Sequence, residues 1–114
     1  YEVNVDEDAI LPFLYYKDAV NALITLYEAK EPKSRIYHIN GISLTARELV
    51  DEVKKHIPDA MVKFTPKPEN VSIVHSIPST LDDTKARDEL GWKLSYSLED
   101  IIKEFMSEAK SGCV

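Results

Sequence analysis

The groups able to do chemistry in this chain are few and scattered. Three histidines, His38, His56 and His75, lie about 18 residues apart and none forms H-x-x-x-H, so a metal site built from them needs tertiary convergence. The run from Asp82 to Glu89 has the acidity of a magnesium motif, but D-D-x-x-D needs a carboxylate where Ala86 stands. Negative charge in the first turn of a helix, complementing the macrodipole, fits that run better. Glu99, Asp100 and Glu104 are spaced as a solvated helix face. His75, between Val74 and Ser76, reads as a hydrogen-bonded core residue, and Trp92, directly after Gly91, as a ring packed over a helix end. With three glycines, Gly41, Gly91 and Gly112, neither G-x-G-x-x-G nor a P-loop can be written, and no tyrosine is followed by lysine four residues later. Two apolar, proline-marked stretches remain as pocket-lining loops: Leu11-Pro12-Phe13-Leu14-Tyr15-Tyr16, and the segment from Pro66 to Pro78.

The elements that must position these residues are legible from periodicity and punctuation. Asp18 stands as an N-cap before a helix whose apolar positions Val20, Leu23, Ile24 and Tyr27 share one face, ending near Lys30 before Pro32. Thr45-Ala46-Arg47-Glu48 is a capping box leading into Leu49, Val50, Val53 and Ile57, closed by Pro58. A third helix runs from Asp82 or Asp83 to Leu90, with Gly91 supplying the left-handed terminator. A fourth starts at Ser97-Leu98-Glu99-Asp100 and continues through Ile101, Ile102, Phe105 and Met106. Arg35–Ile39 and Met61–Phe64 alternate as strands, Pro66–Asn70 reads as a loop, and Val71–Ile77 is ambiguous. The order predicts an α/β unit of about four helices with two or three short strands, too few to stand as a free sheet.

Composition closes several classes. The chain of 114 residues has room for one domain, or one lobe of a larger protein. Leu, Ile, Val and Phe number 32, about 28%, clear of the ~20% below which chains stay disordered. The longest apolar stretch, Ile10 to Tyr16, is far short of the about 20 residues of a membrane span. A net charge of −6 disfavours nucleic acid, whose phosphates are held by clustered Lys and Arg. Cys113, the single cysteine, excludes an intrachain disulfide, and the cytoplasm is the simplest compartment. Tyr1 opens the chain without methionine or a basic-then-apolar leader, which reads as a piece of a longer polypeptide.

Three strings resemble, in order, the NAD-dependent epimerase/dehydratase family, the extended short-chain dehydrogenases. Leu11 to Ala19 is similar to its L-P-x-x-Y-x-x-D-A segment. Tyr37-His38-Ile39-Asn40-Gly41, with Leu44-Thr45 and Glu48-Leu49, is similar to the middle of the same region. Ser79 to Trp92, ending in L-G-W before S-L-E-D, is similar to the closing signature. The resemblance implies that residues 1–114 are the C-terminal, substrate-binding portion, a small α/β lobe lacking the Rossmann core. NAD would be bound by the family's N-terminal Rossmann domain, which also carries the Y-x-x-x-K pair, a tyrosine that takes the substrate hydroxyl proton and a lysine that lowers the tyrosine pKa. No catalytic, cofactor-binding or metal residue is then expected in this chain. Its share is to wall the pocket and orient the substrate, with Pro12, Phe13 and Leu14 from the first loop and Ile77 and Pro78 from the second as substrate-binding residues.

Within the family, Leu11–Ala19, Ile57-Pro58 and Ile77–Asp82 are similar to the L-threonine 3-dehydrogenase subgroup, which implies a small amino acid such as threonine as substrate. That subgroup's tryptophan before the proline is Ile77 here. No arginine lies between Arg47 and Arg87, so a nucleotide sugar, whose phosphates want a guanidinium clamp, is the second reading. The third is a non-catalytic acidic α/β interaction module, which predicts a monomer without large exposed apolar patches. The lobe reading predicts instead an apolar face toward the Rossmann domain, open to self-association.

Overall fold

A computed structural model describes residues 1–112; Cys113, the subject of the cysteine argument above, lies outside the described residues. Strand β1 (Glu2–Val3) is followed by β2 (Ile10–Phe13), helix α1 (Tyr16–Glu28), β3 (Ile42–Thr45), α2 (Ala46–His56), β4 (Lys63–Phe64), α3 (Pro68–Ser76), α4 (Thr84–Leu90) and α5 (Leu98–Lys110). β1 pairs with β4 in parallel, and β2 pairs with β3 antiparallel in the register Ile10 to Thr45 through Phe13 to Ile42. Pro12 lacks an N–H, yet it sits within β2 because a two-stranded ribbon leaves one side of each strand unpaired.

The capping boxes form as read. Thr45 Oγ1 accepts from the Glu48 N–H at 3.1 Å while Glu48 Oε2 accepts from the Thr45 N–H at 2.7 Å. Ser97 and Asp100 repeat the exchange at α5. Gly91 ends α4 at φ 67°, the left-handed conformation expected of it.

Four expectations need correcting. Asp18 is not an N-cap: α1 begins two residues earlier, and the Asp18 carboxylate points inward, fully buried, where Oδ1 accepts from the Ser95 N–H at 2.9 Å. Arg35–Ile39 forms no strand, because β2 finds its partner six residues on; Tyr37 and Ile39 pack against the core instead. The first apolar loop is strand β2 over Ile10–Phe13. The stretch read as a loop, then ambiguous, is α3, a fifth helix: Pro68 occupies its first turn, where a missing N–H costs nothing and a fixed φ helps.

Ala22, Ala86 and Trp92 form the buried cluster, with Tyr37, Ile39 and Leu94 against it. Trp92 is 3% exposed, the packed ring the sequence predicts. Ala9, Leu44 and Ile102 are buried elsewhere. The shape is a slab of 49 × 36 × 19 Å with a radius of gyration of 16.6 Å, where a compact chain of this length would have about 13 Å. Its accessible surface of 8097 Å² exceeds by about 1,800 Å² that of a typical monomer of its mass. Much of the excess is apolar. Val20, Leu23, Ile24 and Tyr27 of α1, the face sequence periodicity marks as the packing face, are all exposed, Leu23 by 69% and Tyr27 by 90%. The inward side of α1 carries Asp18 and Ala22.

Candidate functional site

The two predicted pocket stretches converge on β3. Pro12 stands opposite Ser43 in the ladder, and the Ser43 hydroxyl donates to the Ser79 carbonyl at 2.7 Å. Two residues before β3, Asn40 Oδ1 accepts from the Leu81 N–H at 3.0 Å. The segment carrying Ile77 and Pro78 therefore runs beside the strand that carries Pro12 and Phe13. Pro12 is half-buried; Phe13, Leu14, Ile77 and Pro78 are exposed. An open cleft between β2, α3 and this segment is lined by Asp8, Ile10, Val74, His75, Ile77 and Ser79. Of the five expected substrate-binding residues it contains Ile77, and not Pro12, Phe13, Leu14 or Pro78.

His75 is not the core histidine expected. It stands at the exposed end of α3, with Nε2 3.3 Å from Asp6 Oδ2. Helix α3 is too short and its apolar residues too evenly spread to turn that position inward. The acidic run precedes α4 and does not enter its first turn: Asp83 at the N-cap makes no capping bond and pairs with Arg87 at 2.9 Å, while Asp82 Oδ1 accepts from both the hydroxyl and the N–H of Thr84, which holds the Asp82 carboxyl below the usual range. Among the described residues no three His, Cys, Asp or Glu side chains converge as a metal centre.

Two features of the site escape a linear reading. Gly41 is buried directly against β2: a Cβ there would overlap the Phe13 carbonyl and crowd the Leu14 Cα, so only glycine lets the chain entering β3 pass the exit of β2. The resemblance string ending in Gly41 was the only signal. The second is Glu104, which is not simply part of a solvated face. Its Oε2 accepts from the Tyr15 hydroxyl at 2.5 Å and from Lys17 Nζ at 2.6 Å. Lys17, then Tyr15, hold the Glu104 carboxyl below the usual range, while desolvation, then Glu104, push the Tyr15 phenol up. Eighty-nine residues separate Tyr15 from Glu104 in sequence, so no local pattern announces the pair.

No protein-family model matches the chain. Its likeness is instead to the C-terminal portion of two sorts of protein, the epimerase/dehydratases and the L-threonine 3-dehydrogenases. A bovine protein named "L-threonine 3-dehydrogenase, mitochondrial" is 32% identical over 109 residues, which are 94% of this chain and 29% of the relative. An uncharacterized epimerase/dehydratase of Staphylococcus saprophyticus is 26% identical over 106 residues, 90% of this chain and 33% of the relative. The L-threonine dehydrogenase structure from Clostridium difficile superposes with a TM-score of 0.88 at 28% identity, over 98% of this chain and 36% of that one. The chain thus spans 29% to 33% of the length of the curated relatives it matches, and its small α/β unit is a C-terminal lobe.

For the NAD that the resemblance implies, the described residues offer no glycine turn leading into a helix N-terminus. The glycines with positive φ among the described residues, Gly91 and Gly112, follow the C-terminal ends of α4 and α5, whereas a pyrophosphate wants a glycine turn leading into a helix N-terminus. The parallel pair β1–β4 is two residues long, and among the described residues no helix is entered directly from a Gly-rich turn.

Proposed function

We propose that this chain is the substrate-binding C-terminal part of an NAD-dependent oxidoreductase resembling L-threonine 3-dehydrogenase. Hydride passes from a substrate hydroxyl carbon to NAD on a Rossmann domain outside residues 1–114. The chain's own work is to present Pro12, Phe13, Leu14, Ile77 and Pro78 as one wall of the pocket and to exclude water from it. The carrying observation is the exposed apolar surface of α1, β2 and the Ile77 segment on a slab too flat for its mass. A free-standing interaction module would keep such a surface covered, and a lobe seated on a larger body has it covered for it. A small amino acid is the favoured substrate, since no arginine lies between Arg47 and Arg87 to grip a diphosphate. The reading takes the cytoplasm as compartment.

The test replaces the matching C-terminal portion of the bovine L-threonine 3-dehydrogenase with residues 1–114 and follows NADH formation. Turnover with L-threonine, absent from the 114-residue chain alone, is the expected result. A folded, NAD-binding chimera that ignores L-threonine and acts on UDP-sugars would transfer the reading to nucleotide-sugar epimerases. Dehydrogenase activity in residues 1–114 by themselves would end it.

A further inference from the structure

The four residues that carry the chain from the pocket strand into α1 are each tied to the C-terminal segment. Tyr15 and Lys17 share Glu104 Oε2. The Tyr16 hydroxyl donates to Glu108 Oε1 at 3.1 Å, and Asp18 accepts from the Ser95 N–H. The Tyr15 ring meets Tyr96 edge-on at 5.0 Å, and Lys17 Nζ lies 5.8 Å from the same ring. On its other side the β2 exit is held by the ladder to β3, where Phe13 stands opposite Ile42, and by the close backbone approach of Gly41. Leu14 itself is exposed, so packing does not fix it.

A single carboxylate oxygen taking two short bonds from residues two apart in the chain fixes both the direction and the rotation of the segment between them. An isolated surface ion pair would not do this, because exposed Lys–Glu pairs contribute little. A shared acceptor with a partly buried phenol as second donor is a geometric constraint. We infer that Glu104 is a positioning residue: through Tyr15 and Lys17 it clamps the β2–α1 junction to α5 and so sets where Phe13 and Leu14 stand in the pocket wall. The inference about substrate rests on the function proposed above; the clamp itself does not.

Amide hydrogen exchange on the 114-residue chain tests the clamp without any activity. In Glu104→Ala, amides of residues 11 and 13 in the ladder and of Ala19, whose N–H donates to the Tyr15 carbonyl, exchange about tenfold faster, the loss expected for one charge-assisted anchor, while β1, β4 and α4 hold their rates. Glu104→Gln keeps an oxygen for the Tyr15 hydroxyl and recovers part of that protection. Tyr15→Phe, a milder change that leaves the Lys17 bond, gives a smaller increase at the same amides. Acceleration spread evenly over the chain, or none at residues 11, 13 and 19, overturns the clamp. In the longer enzyme, Glu104→Ala raises the substrate KM about fivefold, with kcat and the NAD KM within about twofold. A wild-type enzyme inert toward L-threonine would remove the substrate assignment and leave the exchange result standing; equal loss of kcat and NAD affinity would mean that Glu104 only supports the fold.

Discussion

Helices α1 and α5 have the same length, 13 residues, and both are amphipathic, yet they use their apolar faces in opposite ways. α5 has a complete capping box, packs against α2 and buries Ile102, with Phe105 left exposed. α1 has no side-chain cap, turns Asp18 and Ala22 inward, and leaves Val20, Leu23, Ile24 and Tyr27 in solvent. One helix buries a large apolar side chain, Ile102, within its own chain. The other is held from behind by polar ties, to Ser95, Glu104 and Glu108, while its large side chains stay in solvent. An apolar stripe in a sequence therefore says that something will cover it, and not which body does so.

The contrast can be broken at four points. Truncating Ile102 to Ala should cost about 2–5 kcal/mol in urea unfolding, the penalty for a cavity in a packed site. A cost near zero would mean that α5 packs no better than α1. Asp18→Ala should cost about 1.5–3 kcal/mol, since the Ser95 N–H loses a charged acceptor. Asp18→Asn should cost less, because Oδ1 stays while Oδ2, buried without a partner, no longer shares a charge. If Asn were as damaging as Ala, the hydrogen bond would not be what holds that end of α1.

The Glu104 clamp carries a pH signature. Its carboxyl is held low by Lys17 and then Tyr15, so the folded state binds its proton less readily than the unfolded chain does. That contribution is complete above the unfolded value of about 4.3 and fades as pH falls through the lower folded value. Acid titration of Glu104→Gln should accordingly show a shallower loss of stability below about pH 4.3 than wild type; parallel curves would show that the pair adds nothing. The smallest effect belongs to the open face: Leu23→Ser in the 114-residue chain should change stability by no more than about 0.5 kcal/mol. A large loss there would mean that the stripe is buried in solution, by a second copy or by rearrangement, and sedimentation would tell these apart.

Legibility followed the range of the interaction. The two capping boxes and the Gly91 terminator, each spanning three or four residues, were readable to within a residue or two at the helix ends they set. Proline misled at Pro68, because the same residue that breaks a helix interior begins one well. Strand placement failed at residues 35–39, since alternation shows which residues suit a strand and nothing about where a partner lies. The two candidate pocket stretches are adjacent in space, joined by packing of α3 on β2 and by the Ser43 bond to a backbone carbonyl that any residue at position 79 would offer. His75 was misplaced for want of knowing that α3 is a helix with an exposed end.

Sequence alone determined the local stops and starts, the absence of a nucleotide-gripping glycine turn, and a family likeness borne by strings of neighbouring residues. Each depends on contacts a few positions apart, so side-chain chemistry and spacing contain all that is needed. Which face of α1 is buried, that Asp18 reaches Ser95, and that Glu104 grips both Tyr15 and Lys17 were decided only by the folded chain. Those contacts join residues 77 to 89 positions apart, and the entropy of closing such loops is met by the sum of the packing, which no single segment encodes.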